Sequence, residues 1–148
     1  MLFRSLELDF LQYQPKLRLS KSGENTYVYD PIRKKDVVLQ PEELLRQLVL
    51  QYLLEEKKCP PHRIRSEIGI EVNGLKKRCD IVVYKADNPW MIIECKEMNV
   101  LLDKKVLDQV LRYNIHLQVP YLIITNGTYC YAFAVVNNKL EELDELPA

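Results

Sequence analysis

Glycine is scarce in this 148-residue chain, which has only Gly23, Gly69, Gly74 and Gly127. None falls in a GxxxxGK or GxGxxG run, so no loop cradles nucleotide phosphates, and a nucleotide-driven motor is expected on another chain. Cysteine is equally thin. Cys59, Cys79, Cys95 and Cys130 are scattered without a CxxC pair, which speaks against a zinc ribbon and a disulfide framework and fits free thiols in a reducing compartment. Cys59-Pro60-Pro61-His62 offers two ligand types and no second pair nearby. The two histidines, His62 and His116, stand in no nucleophile–base spacing. No apolar run approaches the roughly 18 residues of a membrane span, and the Met1-Leu2-Phe3-Arg4 start lacks a signal peptide's apolar core. A cytoplasmic chain without membrane association is expected.

Net charge is missing too, because 21 basic and 21 acidic residues cancel. No field of the whole chain therefore draws nucleic acid. The distribution is uneven, however. Lys57, Lys58, Arg63, Arg65, Lys76, Lys77 and Arg78 outnumber Glu67 and Glu71 over the same stretch, whereas residues 141–145 are acidic. Lys77 and Arg78 adjoin Asp80, and that flank is either a solvated face or one that attracts a phosphate backbone.

What is present suffices for one core, since 47% of the residues are hydrophobic. The chain reads as one domain with an extension carrying a hairpin over 1–40, a core over 41–136 and an acidic tail over 137–148. In the extension, residues 6–11 alternate, and 26–29 and 37–39 flank the Asp30-Pro31 turn. A helix is predicted over 41–56, with Pro41 in its first turn and Glu42 and Glu43 at the positive end of its dipole. Leu45, Leu48, Val49, Tyr52 and Leu53 form its apolar face. Glu42 lies at the edge of that face and Glu43 well away from it, so Glu42 either looks toward the core or is solvated with its neighbour.

Three strands follow, over 67–72, 77–84 and 90–96, the first two joined by Asn73-Gly74, a strong hairpin signal. A second helix over about 103–117 turns Val106, Val110, Tyr113 and Leu117 inward. Strands over 121–125 and 129–136 close the chain around Asn126-Gly127. A strand–helix–strand crossing places 121–125 parallel to the meander, giving an α/β fold with a mixed sheet flanked by helices.

Charge sits where this meander is most apolar. Asp80 precedes Ile81-Val82-Val83-Tyr84, and Glu94 and Lys96 end Trp90-Met91-Ile92-Ile93, with Cys95 turned to the other face. Buried charge seldom stabilises a fold, so a metal ion is one way to make the arrangement favourable. Carboxylate oxygens suit Mg²⁺, the Cys95 carbonyl offers a further ligand, and Lys96 on the face of Glu94 can position water or stabilise a charged transition state. That chemistry suits phosphodiester hydrolysis.

Four pieces then occur in order. Pro41-Glu42-Glu43-Leu44-Leu45-Arg46-Gln47 is similar to a PEExxRQ helix, and Arg78-Cys79-Asp80-Ile81 and Ile93-Glu94-Cys95-Lys96 follow. Gln109-Val110-Leu111-Arg112-Tyr113 is similar to a QxxxY element, with Thr125-Asn126-Gly127 as the turn beyond it. The set resembles the PD-(D/E)xK nuclease superfamily and, more narrowly, the N-terminal nuclease domain of type I restriction enzyme R subunits. The resemblance implies a restriction-endonuclease-like core in which Asp80 and Glu94 ligate Mg²⁺, with Mn²⁺ able to substitute, and Lys96 serves catalysis. It further implies that Glu42 approaches from the helix and that Gln109 and Tyr113 line or support the site near DNA. The implied partners are DNA and a separate motor or specificity subunit, and a homodimer is also compatible. Cys79 stands where the superfamily often has proline. Two functions stay open, a metal-dependent DNA endonuclease or nuclease subunit, and a catalytically inert nuclease-fold module for DNA binding or assembly.

Overall fold

The computed structural model describes residues 3–147, apart from the side chain of Val72; Met1, Leu2 and Ala148, at the ends of the expected extension and tail, lie outside the described residues. The extension forms a three-stranded antiparallel meander of β1 (Leu19–Ser22), β2 (Asn25–Asp30) and β3 (Lys35–Val38). The expected hairpin is β2–β3, and β1 adds a strand to it. Upstream, Phe10–Lys16 is a 3₁₀ turn whose Phe10 and Tyr13 rings meet Tyr52 edge-on at 5.4 and 6.0 Å. The alternating pattern over 6–11 therefore ends in a helical turn that caps the first helix.

That helix, α1 (Pro41–Glu55), buries Leu45, Leu48, Val49, Tyr52 and Leu53 as its periodicity requires. Next come β4 (Ile64–Val72), β5 (Leu75–Lys85) and β6 (Asn88–Cys95), then α2 (Lys104–Ile115), β7 (Tyr121–Thr125), β8 (Cys130–Val136) and β9 (Lys139–Glu142). The six strands form one sheet in the order β4-β5-β6-β7-β8-β9, parallel only between β6 and β7. The mixed α/β sheet is as expected. β9 pairs with β8, so residues 139–142 of the acidic segment extend the sheet. Among the described residues no helix is long and apolar enough to cross a membrane.

Alternation explains why the central strands are apolar throughout. Ile81, Val83, Met91, Ile93 and Ile123 pack on the α1 side, and Val82, Ile92, Leu122 and Ile124 on the α2 side. α2 seats itself through Leu107, Leu111 and Asn114, about one position round from the predicted Val106, Val110 and Tyr113 face. Leu107 and Leu111 enter the apolar cluster under the sheet, whereas Tyr113 stays at the rim.

Two turns fix the ends of the sheet near Asp80 and Lys96. Asn73 and Gly74 both have positive φ, 55° and 79°, as a two-residue hairpin turn demands. In the second turn, Asn126 Oδ1 accepts the Thr128 and Tyr129 amides, and Asn126 Nδ2 donates to the Val100 carbonyl at 2.8 Å, tying down the loop that follows Lys96. Gly127 there has φ +92°, and an added Cβ would lie 3.2 Å from Met98 Cγ and 3.3 Å from Leu45 Cδ1. Gly127→Ala is expected to destabilise by about 1–3 kcal/mol, from the positive φ and the crowding together. An unchanged melting temperature would contradict this.

Candidate active site

The site begins with a backbone irregularity. Glu67, in mid-strand, has φ +54°, a left-handed conformation that a long side chain adopts at a cost of roughly 1–3 kcal/mol. The β4–β5 ladder pairs Ser66 with Ile81 and Ile68 with Cys79 and skips Glu67 opposite Asp80. The ribbon turns over at this point. Ile64 belongs to the α1 side but Ile68 and Ile70 to the α2 side, and Cys79 shares the α2 side with Val82. Glu67 and Asp80 thereby leave the alternation and reach toward α1.

There they meet Arg46, whose side chain is 5% exposed. Its Nη2 lies 3.0 Å from Glu42 Oε1, 2.8 Å from Glu67 Oε1 and 3.0 Å from Asp80 Oδ1. Carboxylate oxygens of those three residues all lie within 4.8 Å of one another. Asp80 Oδ2 accepts the Cys95 amide at 2.8 Å, so the carboxylate is anchored to the end of β6. Glu67 is also held from outside, Arg78 Nε and Nη2 each lying 2.9 Å from its Oε2.

Glu94 stands outside this trio. Buried at the end of β6, it pairs with Lys77 Nζ at 2.8 Å, and Lys77 in turn lies 4.9 Å from the centre of the Tyr113 ring. Tyr113 donates its hydroxyl to the Lys76 carbonyl. Asp80 is therefore engaged from the α1 side and Glu94 from the α2 side. The Lys96 amide donates to the Thr125 carbonyl at 2.9 Å, and its half-buried side chain has no carboxylate within ion-pair distance among the described residues. Gln109 is exposed, in an open groove of about 830 Å³ along α2 that also carries Lys104, Lys105, Asp108, Arg112, Tyr113 and His116.

The charge states follow from this placement. Burial, then the neighbouring charge of Asp80, raises the Glu42 carboxyl. Burial also raises Glu94, with Lys77 pulling back and Asp80 adding to the rise. Burial disfavours the Arg46 charge, yet Glu43, Asp80 and Glu67 outweigh it, so the guanidinium is held above its ordinary value. Burial pushes the Cys79 thiol up to about 12 and Cys95 well above its usual range, which leaves both inert as nucleophiles.

Glu43 is not the outward residue its position on the wheel predicts. It is 8% exposed, more buried than Glu42, because the β2–β3 turn covers that side of α1. Its Oε1 accepts from Arg33 Nη2 at 2.8 Å and Arg46 Nη1 at 2.7 Å, and Gln47 Nε2 joins its Oε2 to the wholly buried Asp30. Burial works to raise Asp30, but the Arg33 amide and side chain and the Ile32 amide overcome it and hold the carboxyl low.

These shifts set opposite pH effects. Glu42 and Glu94, raised above 4.5, cost stability when ionised, a cost relieved as pH falls through their folded values toward 4.5. Asp30, lowered below 3.8, contributes stability that is lost as pH falls through its folded value. The melting temperature is expected to climb from neutral pH into mild acid and to drop only in stronger acid. A steady fall from neutral downward is the contrary result.

Glu67 is a site residue that the motif pattern does not single out, and Arg46, the arginine of the PEExxRQ-like helix, is one to which the pattern alone gives no role. Counting outward from the Asn73-Gly74 turn does place Glu67 opposite Asp80, a signal that the hairpin register itself carries. No curated protein sequence matches the chain. A family model does match residues 41–147, taking in α1, the whole six-stranded sheet and Glu42, Glu67, Asp80 and Glu94, and on that match the chain belongs to the family of type I restriction enzyme R protein N-termini.

Proposed function

We propose that the chain is a metal-dependent nuclease domain that hydrolyses DNA phosphodiester bonds in a restriction-related setting, within the PD-(D/E)xK superfamily. The observation that carries this reading is the convergence of Glu42, Glu67 and Asp80 on one cationic nitrogen beside the Glu94–Lys77 pair. Three carboxylate oxygens within 4.8 Å of one another are a hard-donor set that fits Mg²⁺ or Mn²⁺. Asp80, Glu67 and Glu42 would hold the ion, with Glu94 adding charge nearby. When bound, such an ion activates water and neutralises charge developing on the scissile phosphate.

The rest is the work of side chains. Asp80, fixed by the Cys95 amide, orients the carboxylate set. Lys96, uncommitted to any carboxylate, stabilises the phosphate as charge builds on it. Lys77 pulls the Glu94 carboxyl back against the rise that burial imposes. Along α2, Lys104, Lys105 and Arg112 offer charge to backbone phosphates, with Gln109 at the groove and Tyr113 bracing Lys77. A motor or specificity subunit on another chain would bring the DNA.

One observation favours the inert-module reading instead, namely that the Arg46 guanidinium already occupies the centre of the trio. Cleavage of supercoiled plasmid and single-stranded DNA with Mg²⁺ or Mn²⁺ decides between them. The wild type is expected to cut and Asp80→Ala to lose at least about 10²-fold in rate. Cutting that persists in Asp80→Ala removes the assigned mechanism, whereas metal binding without cleavage supports the inert module.

A further inference from the structure

The site does not end at α1. Asp30, at the end of β2, accepts the amides of Ile32 and Arg33, each at 2.8 Å, Arg33 Nε at 2.6 Å and Gln47 Nε2 at 3.0 Å. Arg33 is thus anchored at one edge of its guanidinium. From the other edge its Nη2 reaches Glu43 Oε1, the same oxygen that takes Arg46 Nη1. Arg46 Nε is buried with no hydrogen-bond partner among the described residues. Glu43 is therefore the hold on one side of the Arg46 plane, and the trio of Glu42, Glu67 and Asp80 takes the other. A continuous chain of charges runs from Asp30 through Arg33, Glu43 and Arg46 to Asp80. Asp30 and Arg33 precede the matched segment, which starts at residue 41.

The geometry points to Arg33 as a positioning residue. From the extension it fixes Glu43, and through Glu43 it sets the Arg46 guanidinium with Nη2 at the centre of the three carboxylates. Its consequence for metal binding rests on the nuclease reading above, while the placement itself does not. Buried ion pairs seldom repay their desolvation in stability, so geometric specificity is the effect to look for. Arginine suits the task because its rigid fork engages two carboxylates at a fixed angle. The shared Glu43 oxygen makes the coupling direct. Without Arg33, the Glu43 oxygen that holds Arg46 loses its second cation, Gln47 Nε2 stays on the other oxygen alone, and the orientation of the guanidinium is no longer set by a charge outside the site.

The test is ¹⁵N NMR of the arginine guanidinium groups in the full chain. A guanidinium gripped at both ends rotates slowly about its Nε–Cζ bond, so wild-type Arg46 is expected to show separate Nη1 and Nη2 signals, identified by their loss in Arg46→Met. Arg33→Gln is expected to merge the pair into one averaged signal while the backbone amide spectrum stays dispersed. If Arg33→Gln does not fold, Glu43→Gln breaks the same link with Asp30–Arg33 intact and should merge the pair likewise. Where both fold, the double variant should behave as Glu43→Gln alone, because both lie on one path. A resolved Arg46 pair that persists in a folded single variant overturns the proposal. Mn²⁺ titration of the same samples separates the two readings. A wild type that binds no Mn²⁺ removes the metal centre, and the Arg46 signals still decide the positioning role.

Discussion

Arg46→Met should melt on the order of 10 °C below the wild type in the presence of a chelator, and Mg²⁺ should recover a large part of the difference. Removing one partner of a buried ionic cluster costs roughly 3–5 kcal/mol, and each kcal/mol moves the melting temperature of a chain this size by about 2–4 °C. The loss is large because Nη2 of this one side chain serves three carboxylates. Glu67 keeps Arg78, Glu43 keeps Arg33 and Asp80 keeps the Cys95 amide, but Glu42 loses its ion-pair partner. Arg46 opposes the rise of the Glu42 carboxyl, so the variant should also gain more stability than the wild type on mild acidification. A ligand that binds only the folded state stabilises by about 2.7 kcal/mol at a hundredfold excess over its Kd. An uncharged thioether in place of the guanidinium cannot compete with Mg²⁺ for the carboxylates, so the variant should gain more from the ion than the wild type does. Differential scanning calorimetry with chelator and with Mg²⁺ reads all of this. Equal melting temperatures for variant and wild type remove the ionic role of Arg46, and a depressed melting temperature untouched by Mg²⁺ counts against the trio as a metal site.

The reach of the sequence can be judged at the same residues. β9, a short polar strand in the acidic segment, was not legible. For the other five strands of the sheet the Asn73-Gly74 turn, the apolar runs of β5 and β6 and the strand–helix–strand crossing were enough, because each rests on local chemistry. The apolar stripe of α1 was legible for the same reason. Glu43 was not, since its burial comes from the β2–β3 turn, a contact distant in sequence that no helical wheel contains. Glu67 was legible in its register opposite Asp80 but not in its backbone conformation. A glutamate two residues before Gly69 carries no sign that it, rather than the glycine, takes the positive φ. That conformation also turns the ribbon over, which is why Asp80 and Glu94, which the resemblance makes ligands of one ion, are engaged from opposite sides of the sheet. α2 misled by degeneracy, because Val106 and Val110 are as apolar as the neighbouring Leu107 and Leu111, and only the packed sheet chooses between the two stripes.

Lys96→Ala and Lys77→Ala should differ in kind as well as in degree. Lys96 has no carboxylate within ion-pair distance among the described residues, so its charge is free to meet a phosphate in the transition state. Its loss should lower kcat about 10²–10³-fold across the whole pH range. Stability should stay within about 0.5 kcal/mol, since the side chain is only half-buried and holds no partner of that kind. Lys77 is already committed to Glu94 at 2.8 Å. Burial raises the Glu94 carboxyl and Lys77 is the foremost influence holding it down. Without Lys77 the carboxyl rises further and is ionised only at higher pH. Lys77→Ala should therefore displace the acid limb of the rate–pH profile upward and approach the wild-type rate at alkaline pH. Single-turnover plasmid cleavage across pH separates the two lysines. A Lys96→Ala variant that cuts at the full rate removes Lys96 from the chemistry, and a Lys77→Ala profile depressed equally at every pH shows Lys77 acting on the phosphate directly, not through Glu94.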